Sequence, residues 1–148
     1  MNKSLKLLFF VALISFINLP FNDASAQITQ IKSSLLPAQA RSLIKTTWNG
    51  APIVDAWRNK EGRRIEYKAS VEDGSTIKFD AAGRWIEVKS YSGVPTKLLP
   101  ANLVKYINTY YDGQLIVWAV KKARCYQVQL TDGSKLEFNL KGVFQAFL

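Results

Sequence analysis

Two groups of side chains in this sequence have the types and spacing to bind something. The first is basic. Arg58, Lys60, Arg63 and Arg64 follow one apolar run, and Lys121, Lys122 and Arg124 follow another like it. Such clusters steer anionic partners, although a lysine-rich hairpin tip also serves solubility and blunts edge pairing. The second is aromatic. Asp55 and Trp57 alternate along one strand-like run, and Ile116, Trp118 and Val120 along its counterpart. The opposite sides carry Val54 and Ala56, or Val117 and Ala119, small enough to lie beneath a helix. If those pack inward, Trp57 and Trp118 emerge on an open sheet face, where exposed tryptophans often act as binding hot spots. If not, the tryptophan side is core. Both arrangements are open at this level.

Other chemistries are removed by composition. The chain has no histidine, so neither Ser-His-Asp nor Cys-His activation of a nucleophile can be assembled. One cysteine, Cys125, cannot make a thiolate metal site. It neighbours Tyr126 in a strand-like run and reads as a buried small apolar residue. No glycine-rich phosphate loop, dinucleotide fingerprint or EF-hand pattern occurs, so no cofactor and no metal are implied. Paired carboxylates could still hydrolyse sugars. However, Asp73, Asp80, Asp112 and Asp132 sit at turn or helix-end positions, where a short acceptor satisfies backbone N–H groups. Glu66, Glu72, Glu87 and Glu137 alternate with apolar residues as a solvated strand face does. The chain is therefore not expected to be an enzyme. The competing reading, a small envelope hydrolase using carboxylates or a Ser–Lys pair, needs acidic groups converging in a pocket.

Residues 1–26 have the form of a secretory signal peptide. Lys3 and Lys6 precede an apolar run from Leu7 to Leu19, and Ala24-Ser25-Ala26 makes an A-x-A cleavage site. That run is too short for about 30 Å of hydrocarbon. The expected product, 27–148, has no membrane span and is periplasmic or secreted. It carries 18 basic and 10 acidic residues, a net charge of +8. Nucleic acid would suit that charge, but export and the lack of a recognised motif argue against it.

The elements that position these residues come in two matching sets. Leu36-Pro37-Ala38 returns as Leu99-Pro100-Ala101, and Leu43, Ile44 and Trp48 return as Tyr106, Ile107 and Tyr111. Asn49-Gly50 matches Asp112-Gly113. Then Tyr67, Asp73-Gly74-Ser75, Ile77, Phe79, Asp80, Gly83 and Trp85 match Tyr126, Asp132-Gly133-Ser134, Leu136, Phe138, Asn139, Gly142 and Phe144. The offset drops from 63 to 59, so one loop differs by four residues. Such self-similarity marks one supersecondary unit used twice.

Each unit opens with a helix between its proline and glycine. The expected stripes are Ala40, Leu43, Ile44, Thr47 and Trp48, then Leu103, Tyr106, Ile107 and Tyr110. Four strands follow each helix, near 53–58, 64–71, 75–79 and 84–91, then 115–121, 124–130, 134–139 and 143–147. Ile65, Tyr67, Ala69 and Val71 oppose Glu66, Lys68 and Ser70, the alternation of an antiparallel sheet with one wet face. Asp73-Gly74 and Asp132-Gly133 suggest tight type I′ hairpins. Ser92-Gly93-Val94-Pro95 is a short joint, too short to separate the halves. The expected fold class is α+β, a tandem repeat of α-β-β-β-β over 35–91 and 98–148, with one antiparallel sheet and both helices on one face.

The Leu-Pro opening, aromatic helix, Asp-Gly hairpin and Phe-Asp/Asn…Gly-Trp/Phe closing resemble the PepSY-like, beta-lactamase-inhibitor-like family of exported bacterial proteins. The resemblance runs over nearly all of 35–147. It implies a cupped sheet with helices on its convex side and no enzyme activity. It links the chain to inhibition or protein binding by family shape alone. The residues themselves point to a non-catalytic binding module that presents an open sheet face and a basic rim to a protein, peptide or anionic envelope polymer.

Overall fold

The computed structural model describes residues 26–148. The expected signal peptide, Ala26 excepted, lies outside the described residues. Among the described residues the fold is α+β, with two α-helices and nine strands in a single antiparallel sheet. Strand β1 (Gln27–Ile31) and a 3-10 turn (Ser33–Leu35) precede helix α1 (Ala38–Thr47). Then come β2 (Ile53–Glu61), β3 (Arg64–Val71), β4 (Thr76–Asp80) and β5 (Trp85–Lys89). A second 3-10 turn (Thr96–Leu98) leads into α2 (Ala101–Tyr110), β6 (Ile116–Lys121), β7 (Cys125–Leu130), β8 (Lys135–Asn139) and β9 (Phe144–Phe147). The order helix-then-four-strands thus occurs twice. Strand β1 has no counterpart in the sequence reading, and it pairs along β2 from Gln27 opposite Lys60 to Ile31 opposite Ala56.

Strand order in the sheet follows chain order, so every connection joins neighbours. One row of directly paired residues crosses all nine strands: Ile31, Ala56, Ala69, Ile77, Val88, Ala119, Val128, Leu136 and Phe147. Residues directly opposite one another share a face. The seven interior members are buried, and they form one core with Ala40, Ile44, Leu103 and Ile107 of the helices. Both helices therefore lie on this face. The central pair, Val88 and Ala119, carries the row from one half into the other.

Each helix is ten residues long, too short to persist alone in water, so packing must hold it. The stripes are as expected at Ala40, Ile44, Thr47, Leu103 and Ile107. Tyr110 departs from them and is 68 % exposed. Its ring leans, tilted, on Tyr106, whose ring lies parallel to Phe144 at 5.0 Å and edge-on to Phe138 at 5.3 Å.

The Asp-Gly turns are not type I′, because Asp73 and Asp132 keep negative φ and only Gly74 and Gly133 are left-handed. In each, the glycine N–H donates to the carbonyl three residues back, Val71 or Leu130, and the aspartate Oδ1 accepts from the next serine N–H. These are type I turns followed by a glycine bulge.

The turns between β4 and β5 and between β8 and β9 use the same device and also dock the helices. A Cβ on Gly83 would stand 2.8 Å from Pro37 Cβ and 2.9 Å from the Ala40 N; one on Gly142 would stand 2.8 Å from Pro100 Cβ and 2.7 Å from the Leu103 N. Each helix start thus rests directly on a glycine of its own unit. Gly74 and Gly133 have similar φ but nothing within 4 Å. Replacing Gly74 or Gly133 by Ala should cost about 1 kcal/mol, the left-handed strain alone. Gly83→Ala or Gly142→Ala should cost about 2–4 kcal/mol, because helix backbone must also move. Urea unfolding of the four variants checks this.

Candidate binding face and basic rim

The sheet face opposite the helices holds both tryptophans. Trp57 pairs with Lys68, which pairs with Lys78, which pairs with Glu87. In the next row Lys89 pairs with Trp118, then Gln129, then Lys135. Ala56 and Ala119 are buried on the other side, so the arrangement with outward tryptophans is the one formed. Two details differ from simple alternation. Register shifts between Ile53 and Asp55 and between Ile116 and Trp118 put Ile116 in the core and leave Val54 60 % exposed. Cys125, expected to be buried, is half-buried on the polar face opposite Asn139. Burial, the Glu137 charge and a hydrogen bond to Glu137 raise its thiol pKa, which disfavours the thiolate form.

Glu87 is the electrostatic hub of this face. Its carboxylate accepts from Lys78 Nζ at 2.7 Å and from the Trp118 indole N–H at 3.1 Å, and Lys89 Nζ lies 3.4 Å away. Partial burial alone would push the carboxyl up. The Lys78 and Trp118 hydrogen bonds and the two lysine charges outweigh it, so the Glu87 pKa is held below the ordinary glutamate value. Glu87 thus orients the Trp118 ring and holds Lys78 and Lys89 beside it. On the other side of the face, Lys68 Nζ sits 5.4 Å from the Trp57 ring centre, a cation–π contact. Asp55 shares the Trp57 side and accepts from Gln30 Nε2 at 3.1 Å.

Each tryptophan lines its own recess. Ile28, Trp57, Asn59, Glu66, Lys68 and Lys78 surround one of about 370 Å³. Thr76, Glu87, Lys89, Trp118, Gln129 and Lys135 surround another of about 600 Å³. Each contains a single carboxylate, Glu66 or Glu87. The Ser75 and Ser90 hydroxyls are buried and bond each other at 2.8 Å. Lys68, Lys78, Glu87, Lys89 and Lys135 were not singled out by the sequence as site residues. Their signal was present in the alternation, since each occupies the wet position of its strand.

The seven cations of the two basic clusters lie on one rim of the sheet. Four antiparallel steps separate β2 from β6, so the β2–β3 and β6–β7 turns emerge at the same edge, roughly 19 Å apart at the usual strand spacing. Arg63 and Arg64 belong to the first tip, Lys122 and Arg124 to the second. Arg64 is bridged to Glu66. Arg58 and Lys60 share the side of Ala56, and Lys121 the side of Tyr126. They reach the helix side of the rim, and the tryptophans lie on the other. The rim and the aromatic face are therefore adjacent surfaces. Because the Glu87 pKa is depressed on folding, its contribution is complete above the ordinary value of 4.5 and is lost as pH falls below it. Between about pH 5 and pH 3 the Tm of the protein should fall more steeply than that of Glu87→Gln, read by thermal melting.

Solved structures of similar fold come from Bacteroides. A "putative calcium-regulated periplasmic protein" from Bacteroides thetaiotaomicron superposes with a TM-score of 0.75 at 23% identity, over 82% of this chain and 96% of that one. A "putative periplasmic protein" from Bacteroides vulgatus gives 0.75 at 24% identity, over 82% and 97%. A second Bacteroides vulgatus protein, described as "of unknown function", gives 0.75 at 22%, over 83% and 98%. At these identities the likeness is one of fold. A comparison with curated proteins gives no match. The family model described as "Putative beta-lactamase-inhibitor-like, PepSY-like" matches residues 65–146, and the chain belongs to that PepSY-like family.

Proposed function

We propose that this chain is an exported, non-catalytic binding module that grips a protein, a peptide or an anionic envelope polymer. The observation that carries this reading is the sheet face that none of the described residues covers with a helix, where two tryptophans each line a recess flanked by lysines. Half-buried tryptophans offer large rigid contact area at low entropy cost, the composition of binding hot spots. The recesses hold one carboxylate each, whereas hydrolysis of a sugar needs two. Inhibition of an enzyme is supported by the family description alone.

Three further points belong to the same reading. The chain acts in the periplasm or outside the cell, supported by the form of residues 1–26 and by the periplasmic description of the Bacteroides proteins. Among the described residues no helix is long and apolar enough to cross a membrane. The two units, 35–91 and 98–148, are tandem copies, supported by the matched glycine seats at Gly83 and Gly142.

The test is capture from the envelope and secreted fractions of the source, at low and at moderate salt. The expected result is a species retained by the unmodified protein, lost with Trp57→Ala/Trp118→Ala, and weakened by salt. Identical capture by the double variant contradicts the reading.

A further inference from the structure

Net positive charge gathers at one rim of this sheet. The β3–β4 turn carries Glu72 and Asp73, the β7–β8 turn Asp132 and the α2–β6 loop Asp112, all at the rim opposite the basic one. At the basic rim, two turns beyond the two basic clusters add Arg84 and Lys141. Of the cations there, Arg64 and Arg84 are held by Glu66 and Asp80. Among the described residues the others make no ion pair. Glu61 also lies at this rim, and Lys89 and Lys135 lie toward the opposite one, but cations outnumber anions at these turn tips.

Three of those turns meet. The β4–β5, β6–β7 and β8–β9 turns border a recess of about 350 Å³, lined by Lys121, Lys122, the Arg84–Asp80 pair and the apolar Trp85, Ile86 and Leu140. Apolar side chains stand exposed among these cations. Leu140 is 47 % and Val143 50 % exposed, both in the β8–β9 turn. Cations alone would serve any polyanion. Cations interleaved with outward aliphatic side chains suit an interface that is anionic at its surface and apolar just beneath. A soluble polyanion offers nothing to Leu140 and Val143.

We propose that this end of the molecule docks on an anionic phospholipid bilayer. Lys121, Lys122, Arg124 and Lys141 contact headgroup phosphates, and Leu140 and Val143 enter the acyl boundary. The acidic rim then points away from the membrane, and the tryptophan face stands at its side, free for a partner. The inference rests on the reading of the rim as an anion-contacting surface and adds the identity of the anion.

Co-sedimentation of the exported form with phosphatidylcholine vesicles, with and without about 30 % phosphatidylglycerol, tests it. Soluble polyglutamate binding is measured in parallel. Lys122, Arg124, Lys141, Leu140 and Val143 are all exposed, so substitutions there should keep the fold, checked by melting. The protein should bind phosphatidylglycerol vesicles at low salt. Lys122→Ser/Arg124→Ser/Lys141→Ser should weaken binding at least about tenfold. Leu140→Ser/Val143→Ser should weaken it about threefold with the salt dependence unchanged. Equal binding to neutral vesicles, or full binding by both variants, overturns the proposal. Binding of polyglutamate without binding of vesicles overturns the lipid assignment and leaves the anion-contacting rim standing. Binding of neither overturns both.

Discussion

The register of the sheet is the constraint on which everything else rests. A single row of buried side chains, from Ala56 through Ala69, Ile77, Val88, Ala119 and Val128 to Leu136, runs beneath both helices. Because side chains alternate with a period of two, a slip of one residue in any strand would send its whole apolar set to water. The same alternation sends Trp57 and Trp118 to the uncovered side. Their exposure is a consequence of what must be buried. The alanines of the row, with Ala40 on α1, keep that side low enough for two helices to lie close.

The second requirement is a place for helices that cannot stand alone. Gly83 and Gly142 meet it in the same way, letting a turn approach the first helical residues more closely than any Cβ would allow. These turns also form part of the basic rim. The backbone of these two turns, which carry Arg84 and Lys141, is thereby held against the helices. The face is fixed by a different means. Glu87 bonds Trp118 and Lys78 across three strands, so a ligand of the proposed face would meet an arrangement already ordered, which lowers the entropic cost of binding.

Much of this was legible in the sequence. The alternation in β3 and β7 gave the correct faces for Glu66, Lys68, Tyr126 and Val128, and the matched halves placed both basic clusters at one rim once a single sheet was assumed. The tryptophan faces were not decidable, because β2 and β6 carry apolar residues on both sides, and shifts of register at Asp55 and Trp118 blur the alternation. Ile116 fell on the wrong side for that reason. Strand β1 escaped notice because Gln27–Ile31 is short and its two isoleucines, three residues apart, fit no alternating pattern; pairing with β2 and the packing of Ile31 on the core hold it. Cys125 was misplaced by its residue type, since free cysteines are usually buried. Lys78, Glu87, Lys89 and Lys135 look like ordinary solvated positions one strand at a time. Only the register, which joins β4, β5, β6 and β8, shows them gathered around Trp118.

The placement of the two tryptophans is open to direct measurement by iodide quenching of fluorescence in single Trp-to-Phe variants. Four tryptophans contribute, and Trp85 is buried while Trp48 packs against the core. The account requires that Trp57→Phe and Trp118→Phe each remove part of the quenchable emission, while Trp85→Phe leaves it intact. A quenchable fraction unchanged in both of the first two variants would place those rings in the interior and contradict the account.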